Sequence, residues 1–552
     1  MRPAVRSFFD ARADQMFPRL TSQEIERLRP FGEPRTYAPG DALLTVGELG
    51  PGMVLILAGE VTVSQHDQSG RRETIVSYGP GSFMGELSTL SGRPVLVDAH
   101  AESAVEAVII PPARLRALLV AEAELGERIM RALILRRVAL IQSGAGGPVI
   151  IGPALHHGVL ALEGFLARNG HPRQVLDSDT DPEAHALLQQ FHVPPGEWPV
   201  VLCPSGALLR NPTEAQLARC IGLVRAIDPD KVYDVAVVGA GPAGLATAVY
   251  AGSEGLSVLA LDCRAFGGQA GASARIENYL GFPTGVSGMA LMARAYNQAQ
   301  KFGAEMAIPD EVTALQGGEG EGPFRLNLQN GEQALARAVV IASGARYRRL
   351  DVPGLDAFEA ASVHYWASPL EGRICAGQEV ALVGAGNSAG QAVVYLAERA
   401  AKVWLLVRGD GLQASMSRYL IERISGLRNV ELVTGAQLAG VDGADGALES
   451  IRWRDRSGAE TQRAIRHLFL FIGAEPNTDW LDGCVALDAK GFVLTGADAG
   501  PGRRSLETSR DGVFAIGDVR AGSVKRVAAS VGEGAQVVAA LHQVLADFTP
   551  TT

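Results

Sequence analysis

A multidomain chain is predicted. A β-barrel stands at the N-terminus, a small α/β domain follows, and two α/β units on parallel sheets fill the rest. Three observations predict this. Turn signals recur about every eight residues near the N-terminus, strand and helix patterns begin to alternate near 149, and one Gly-rich strand–turn–helix unit occurs twice. A length of 552 residues exceeds what a single core usually serves. Hydrophobic residues at 47% and charged residues at 20% exclude a disordered chain. The net charge of −10 argues against bulk electrostatic binding to nucleic acid.

Residues 1–145 form the first domain. Pro39-Gly40, Gly47, Pro51-Gly52 and Gly59 punctuate short apolar runs, which suggests a barrel or sandwich. A helical stretch over 113–142 follows, then SGAGGP as a linker. Residues 148–228 read as strand, helix, strand, helix, two strands, helix, with Asp181 and Thr213 at N-cap positions. IDPDK at 227–231 is the second linker. From Val232 onward the pattern is long α/β.

Five cysteines stand at 203, 220, 263, 375 and 484, with no C-x-x-C. Neither a disulfide scaffold nor a zinc site is expected. Cys203 and Cys220 can in principle pair, but one falls at a strand end and the other within a helix, so two separate thiols are expected. His156-His157 has no third ligand at suitable spacing, so no metal is expected. The N-terminus shows no secretory h-region. The uncharged window from Val235 to Ser253 carries four Gly and a Pro. It reads as a buried strand, a turn and a helix, not as a membrane span. A cytosolic location is expected.

The strongest signal is the strand DVAVV running into Gly239-Ala-Gly241-Pro242-Ala243-Gly244 and a helix. The first Gly makes the turn, the second lets backbone approach a pyrophosphate, and the third lets helix pack on strand. Free N–H groups at the helix start then suit a phosphate. The next strand ends on Asp262, whose carboxylate suits a ribose hydroxyl. The unit returns 145 residues later as Gly384-Ala-Gly386-Asn387-Ser388-Ala389. There the acid is missing and Arg408 follows the strand, which favours a 2′-phosphate and hence NADPH over NADH. These are two Rossmann-like units for two dinucleotides.

At these residues the sequence resembles the flavoprotein pyridine nucleotide–disulfide oxidoreductases, most closely the thioredoxin reductases. The resemblance implies FAD held by Gly239, Gly241, Pro242, Ala243, Gly244 and Asp262. It adds Gly268-Gln269, Asn278 of the ENYLGF run, Ala342 and Gly344, Gly517-Asp518, and Arg526-Val527. It implies NADPH at Gly384, Gly386, Asn387, Ser388, Ala389 and Arg408, and two nested Rossmann-like domains: an FAD-binding domain in two parts, 232–349 and 473–552, around an NAD(P)-binding domain at 350–472. The family's redox C-x-x-C is absent, and Trp366 and Pro369 occupy its two positions. No catalytic cysteine is therefore assigned. Hydride transfer from NAD(P)H to FAD is expected, while thiol–disulfide exchange lacks its thiols. The electron acceptor stays open between a thioredoxin-like partner and an iron–sulfur protein, quinone or oxygen. A homodimer is the family expectation.

Residues 148–228 resemble a thioredoxin-like domain without redox cysteines, with Trp198-Pro199 at its cis-proline position. This domain is expected to be a docking platform or spacer. Residues 30–140 resemble the cyclic nucleotide-binding domain through ILAGEV and Phe83-Met84-Gly85-Glu86-Leu87-Ser88. The resemblance implies phosphate contacts from Gly85, Leu87, Ser88 and a ribose contact from Glu86. The family's phosphate arginine is replaced by Val95, with Arg93 two residues early. A cyclic nucleotide ligand is thus an expectation without its main charge contact. A second reading is a ligand-sensing regulatory flavoprotein with little catalysis.

Overall fold

The computed structural model describes residues 12–66, 72–85, 88–91, 93–194, 196–224, 226–318, 322–359, 361–444, 446–481 and 483–547. Strands β1 (Glu33–Tyr37), β8 (Val105–Ile110), β3 (Met53–Ala58) and β6 (Phe83–Met84) make one antiparallel sheet. Strands β2 (Ala42–Leu44), β7 (Asp98–Ala101), β4 (Val61–His66) and β5 (Arg72–Tyr78) make a second. The expected barrel is therefore two four-stranded sheets whose alternate side chains meet in one core. The helix Ala123–Ser143 closes one side, with Ile129 and Leu133 packed on Met53, Leu55 and Phe83. Gly144, at φ +75, ends it in the left-handed cap that glycine adopts without a Cβ clash.

Between 149 and 220 the element order is the one read from the sequence. Strands β9 (Val149–Gly152), β10 (Gln174–Asp177), β11 (Val200–Leu202) and β12 (Leu208–Arg210) form one sheet in the order β10-β9-β11-β12, with three helices interspersed. Asp181 and Thr213 do cap their helices, accepting from Glu183 and Gln216 backbone N–H groups. The Trp198-Pro199 bond is cis. The two-thiol expectation is corrected. Cys203 and Cys220 form a disulfide, their Cα atoms 6.4 Å apart, because the helix Glu214–Cys220 folds back over β11 into a shared core with Phe165 and Leu217. Strand end and helix are distant in register but adjacent in packing.

The first large sheet runs β15 (Glu305–Ala307), β14 (Val258–Leu261), β13 (Val232–Val238), β18 (Gln333–Ile341), β17 (Phe324–Leu328), β16 (Val312–Gly317), with β29 (Val513–Ala515) also on β18. The chain leaves this unit after β18 and returns to it at β29, as the nesting requires. Strands β19 (Ala345–Tyr347) and β28 (Ala474–Pro476) pair where it leaves and returns. The second large sheet is all parallel: β20 (Val363–His364), β27 (His467–Leu470), β21 (Glu379–Val383), β22 (Lys402–Val407), β23 (Val430–Thr434). Between β23 and β27, strands β24 (Gln437–Ala444), β25 (Ala447–Arg454) and β26 (Glu460–Arg463) form a small antiparallel sheet. β13 and β21 are buried on both faces, which explains their unbroken Val, Ala and Leu runs.

Three buried histidines make stability depend on pH. Burial pushes His171 down to about 3, helped by the nearby Arg137 cation. His364 and His467 lie 3.1 Å apart, nitrogen to nitrogen, and burial lowers both. Unfolded histidine titrates near 6.5, so between that pH and about 3 the unfolded chain binds more protons than the folded one. Stability is full above about 6.5 and falls as pH drops below it. His171 alone accounts for roughly 2 kcal/mol at pH 5. The urea midpoint should drop from pH 7 to pH 5, and His171→Gln should remove part of that drop. A midpoint unchanged over this window would contradict neutral burial.

Candidate functional site

Both Gly-rich turns sit where a central parallel strand hands over to a helix. At the first, Gly239 has φ +111, and a Cβ there would lie 2.2 Å from the Ala342 carbonyl oxygen. A Cβ on Gly244 would lie 1.8 Å from the Gly239 oxygen. Gly241, the N-cap of the helix Pro242–Ser253, behaves differently: its imagined Cβ meets only Gly268 Cα, at 3.9 Å. The second turn repeats the pattern. A Cβ on Gly384 meets Phe471 oxygen at 2.5 Å, while one on Gly386, N-cap of the helix Asn387–Ala397, meets nothing within 4 Å. The first glycines, and Gly244, serve packing. The second ones keep space clear in front of a helix N-terminus, which is what a dinucleotide pyrophosphate needs.

Asp262, the expected ribose acceptor, also anchors the turn. Its carboxylate accepts from the backbone N–H groups of Ala240 at 2.9 Å and of Arg264 and Ala265 at 3.1 Å each. Burial raises its pKa and the three donors oppose the rise. It therefore holds the first turn against the next loop. Asp518 is the converse. It is half-buried, burial raises its pKa, and no side-chain hydrogen bond engages its carboxylate among the described residues. An unpartnered carboxylate beside Gly517, which donates its N–H to Glu533, fits the hydroxyls of a flavin's ribityl chain.

Gly268 sits at φ +53 against Gly241, and Gln269 donates to the Ala345 carbonyl. Ala342 is buried and Gly344 has φ +65. Val527 opens the helix Val527–Asp547, while Arg526 and Asn278 are exposed. Asn387 accepts from the Ser417 N–H at 2.7 Å, Ala389 is fully buried, and Arg408 is exposed just beyond β22.

Between the two units lies a pocket lined by Gln269 and Tyr347 from one and by Trp366, Ser388, Tyr395 and Phe471 from the other. Tyr347 is pushed up to about 12 by burial and stays a neutral donor. Trp366 donates from Nε1 to Glu371 at 3.1 Å, and Pro369 opens the short helix Pro369–Ile374. Among the described residues, no thiol lines this cavity.

Sequence reading missed what surrounds Trp366. Arg168, from the small α/β domain, donates to the Gly268 carbonyl at 3.0 Å, and its Cζ lies 5.6 Å from the Trp366 ring centroid. Arg264 approaches the same ring at 5.9 Å and forms a two-pronged pair with Glu214. Buried Glu163 pairs with Arg173 and reaches Arg373 at 2.6 Å. The small domain thus joins both nucleotide units. No local pattern announces such long-range ion pairs.

Of the N-terminal candidates, Glu86 and Leu87 lie outside the described residues. Gly85 has φ +133, and Ser88 starts the helix Ser88–Ser91. Arg93 is not in the β-sandwich cavity. Its Cζ lies 5.7 Å from the ring centroid of Tyr296 on the helix Gly288–Lys301. His156 accepts from the Gly158 N–H as a helix cap, and among the described residues no three-ligand metal group occurs.

Two spared second glycines, an unengaged Asp518 and one cavity between the halves define a two-dinucleotide flavoprotein oxidoreductase. The comparisons agree. The chain belongs to the pyridine nucleotide-disulphide oxidoreductase family, whose model matches residues 233–534. A cyclic nucleotide-binding domain model matches residues 34–122. The chain is 33% identical over 304 residues to a thioredoxin reductase of Mycolicibacterium smegmatis, covering 55% of this chain and 93% of that one. It is 31% identical over 324 residues to an alkyl hydroperoxide reductase component of Xanthomonas campestris pv. phaseoli, 58% of this chain and 59% of the relative. The Lactococcus lactis thioredoxin reductase structure superposes with a TM-score of 0.53 at 25% identity, over 57% of this chain and all of that one. The chain is thus a thioredoxin reductase-like, FAD- and NAD(P)-dependent oxidoreductase carrying an N-terminal domain of cyclic nucleotide-binding type.

Proposed function

We propose that the chain moves reducing equivalents from NADPH through FAD to an acceptor without an internal disulfide relay. When bound, NADPH supplies a hydride and FAD accepts it. The chain's own residues position the two. The Gly241 and Gly386 cradles take the pyrophosphates on helix N-termini, Asp518 accepts from ribityl hydroxyls, and Tyr347 and Trp366 wall the shared cavity against water.

One observation carries the absent relay: Trp366 and Pro369 stand at the relay positions, the indole tied to Glu371 and flanked by Arg168 and Arg264. Cys375, six residues beyond Pro369, is buried and its thiol is pushed up to about 12, so it carries no thiolate. The test is turnover by the purified protein. NADPH should bleach the flavin, and ferricyanide or a ferredoxin should sustain turnover. Thioredoxin reduction at a comparable rate would reject the reading.

Arg408 supports NADPH over NADH. Removing a charge-assisted contact costs about 1.5–3 kcal/mol, roughly 10- to 100-fold. Arg408→Ala should raise the KM for NADPH by that factor and leave NADH unchanged. An equal loss for both would assign Arg408 a structural role.

The small domain, thioredoxin-like in its element order and its cis Pro199, is read as a docking platform without redox chemistry of its own. A cytoplasmic homodimer completes the reading. No helix among the described residues is long and apolar enough to cross a membrane. The N-terminal domain and the two cysteine-free redox positions favour one alternative, a ligand-sensing flavoprotein with little catalysis. Very slow flavin reduction by both NADH and NADPH would select it.

A further inference from the structure

The N-terminal β-sandwich holds a largely apolar pocket whose walls include Leu44, Val63, Ile75, Met84, Val95 and Val97. Where a cyclic nucleotide-binding domain would place its phosphate arginine, Val95, Leu96 and Val97 turn apolar surface to this cavity.

A cation enters from the other side. Arg136, on the helix Ala123–Ser143, lines the cavity and is only 6% exposed. Its Nε donates to the Met16 carbonyl at 2.8 Å, and Nη1 donates to the Phe83 and Gly85 carbonyls at 3.0 and 3.1 Å. Among the described residues, Nη2 has no hydrogen-bond partner. The rings of Phe17, Tyr78 and Phe83 surround the guanidinium at 4.6–5.4 Å. No carboxylate pairs with it among the described residues. A guanidinium held this rigidly, desolvated and lacking an anion is costly to keep unless an anion completes it.

We propose that this cavity is a binding site for a hydrophobic monocarboxylate, its carboxylate accepting from Arg136 Nη2 and its apolar body filling the space between Val63, Ile75, Val95 and Val97. The lining favours this class over a cyclic nucleotide. A ribose and a base bring many polar atoms, and this wall offers few partners for them. An aliphatic or aromatic carboxylate brings one charge and otherwise only apolar surface.

The test is equilibrium dialysis of the full chain against labelled decanoate, with decanol and cyclic AMP as comparison probes. Binding is read directly, so the result is independent of whether the flavin half turns over. Decanoate should bind at one site, decanol at least about 10-fold more weakly, since it forgoes the charge-assisted bond. Cyclic AMP should not displace decanoate. Arg136→Met should lose the preference for acid over alcohol. Arg136 also ties three backbone carbonyls, so a second variant guards against misfolding: Val95→Trp fills the cavity from a loop and should abolish decanoate binding in a folded protein. Equal affinity for acid and alcohol, undiminished binding by Val95→Trp, or displacement by cyclic AMP would each overturn the proposal.

Discussion

Gly244→Ala should yield a protein that purifies without bound flavin. The added methyl carbon would stand 1.8 Å from the Gly239 oxygen and 3.1 Å from Val237 Cγ1. Neither can retreat. Gly239 donates its N–H to the Leu261 carbonyl at 2.7 Å and is itself packed on the Ala342 carbonyl, while Val237 is buried in the central strand. Relieving the clash means lifting the helix Pro242–Ser253 from β13, at a cost of about 1–3 kcal/mol for overpacking alone. The helix N-terminus would move with it, and with it the N–H groups that face a pyrophosphate. Visible flavin absorbance per mole of protein should fall close to zero, with the far-UV circular dichroism of the other domains retained. A yellow Gly244→Ala protein with native flavin content would show that the third glycine does not set the cradle.

Gly386→Ala should behave in the opposite way. A methyl there meets nothing within 4 Å, and φ at −86° is open to any residue. The fold and the flavin should survive. The methyl does occupy the space that backbone leaves open at the helix N-cap, where a pyrophosphate must approach closely. NADPH should half-saturate flavin reduction at a concentration about 100-fold higher, equivalent to about 2.7 kcal/mol. Anaerobic flavin bleaching against NADPH concentration measures this, and an unchanged half-saturation point would remove the nucleotide from this cradle. The pair of variants separates a glycine required by the fold from one required by a ligand.

Those two roles were only partly legible in the sequence. Glycine spacing showed where turns fall and that each turn opens a helix. Position in the motif assigned packing to the third glycine and pyrophosphate approach to the second, but not how tight each contact is: a Cβ would stand 1.8 Å from the Gly239 oxygen at Gly244 and meet nothing within 4 Å at Gly386. Asp262 illustrates a similar limit. Its position at the end of β14 was readable, but three backbone donors converging on it from Ala240, Arg264 and Ala265 were not. Arg93 was chosen for proximity in sequence, and the folded loop carries it onto Tyr296 instead. Arg136 carried no signal, because a charged residue in an amphipathic helix ordinarily faces water.

The sequence by itself determined two Gly-rich dinucleotide units and the absence of a C-x-x-C pair. These depend on local patterns: apolar runs of strand length, glycines at fixed offsets, and the chemical identity of Trp366 and Pro369. Only the tertiary structure decided that Cys203 meets Cys220, that Arg168 reaches the Trp366 ring, and that Arg136 stands buried without a counter-anion among the described residues. The physical reason is range. Backbone propensity and hydrophobic period act over a few residues, whereas a disulfide, an ion pair or a cavity wall depends on which surfaces the packed cores bring together.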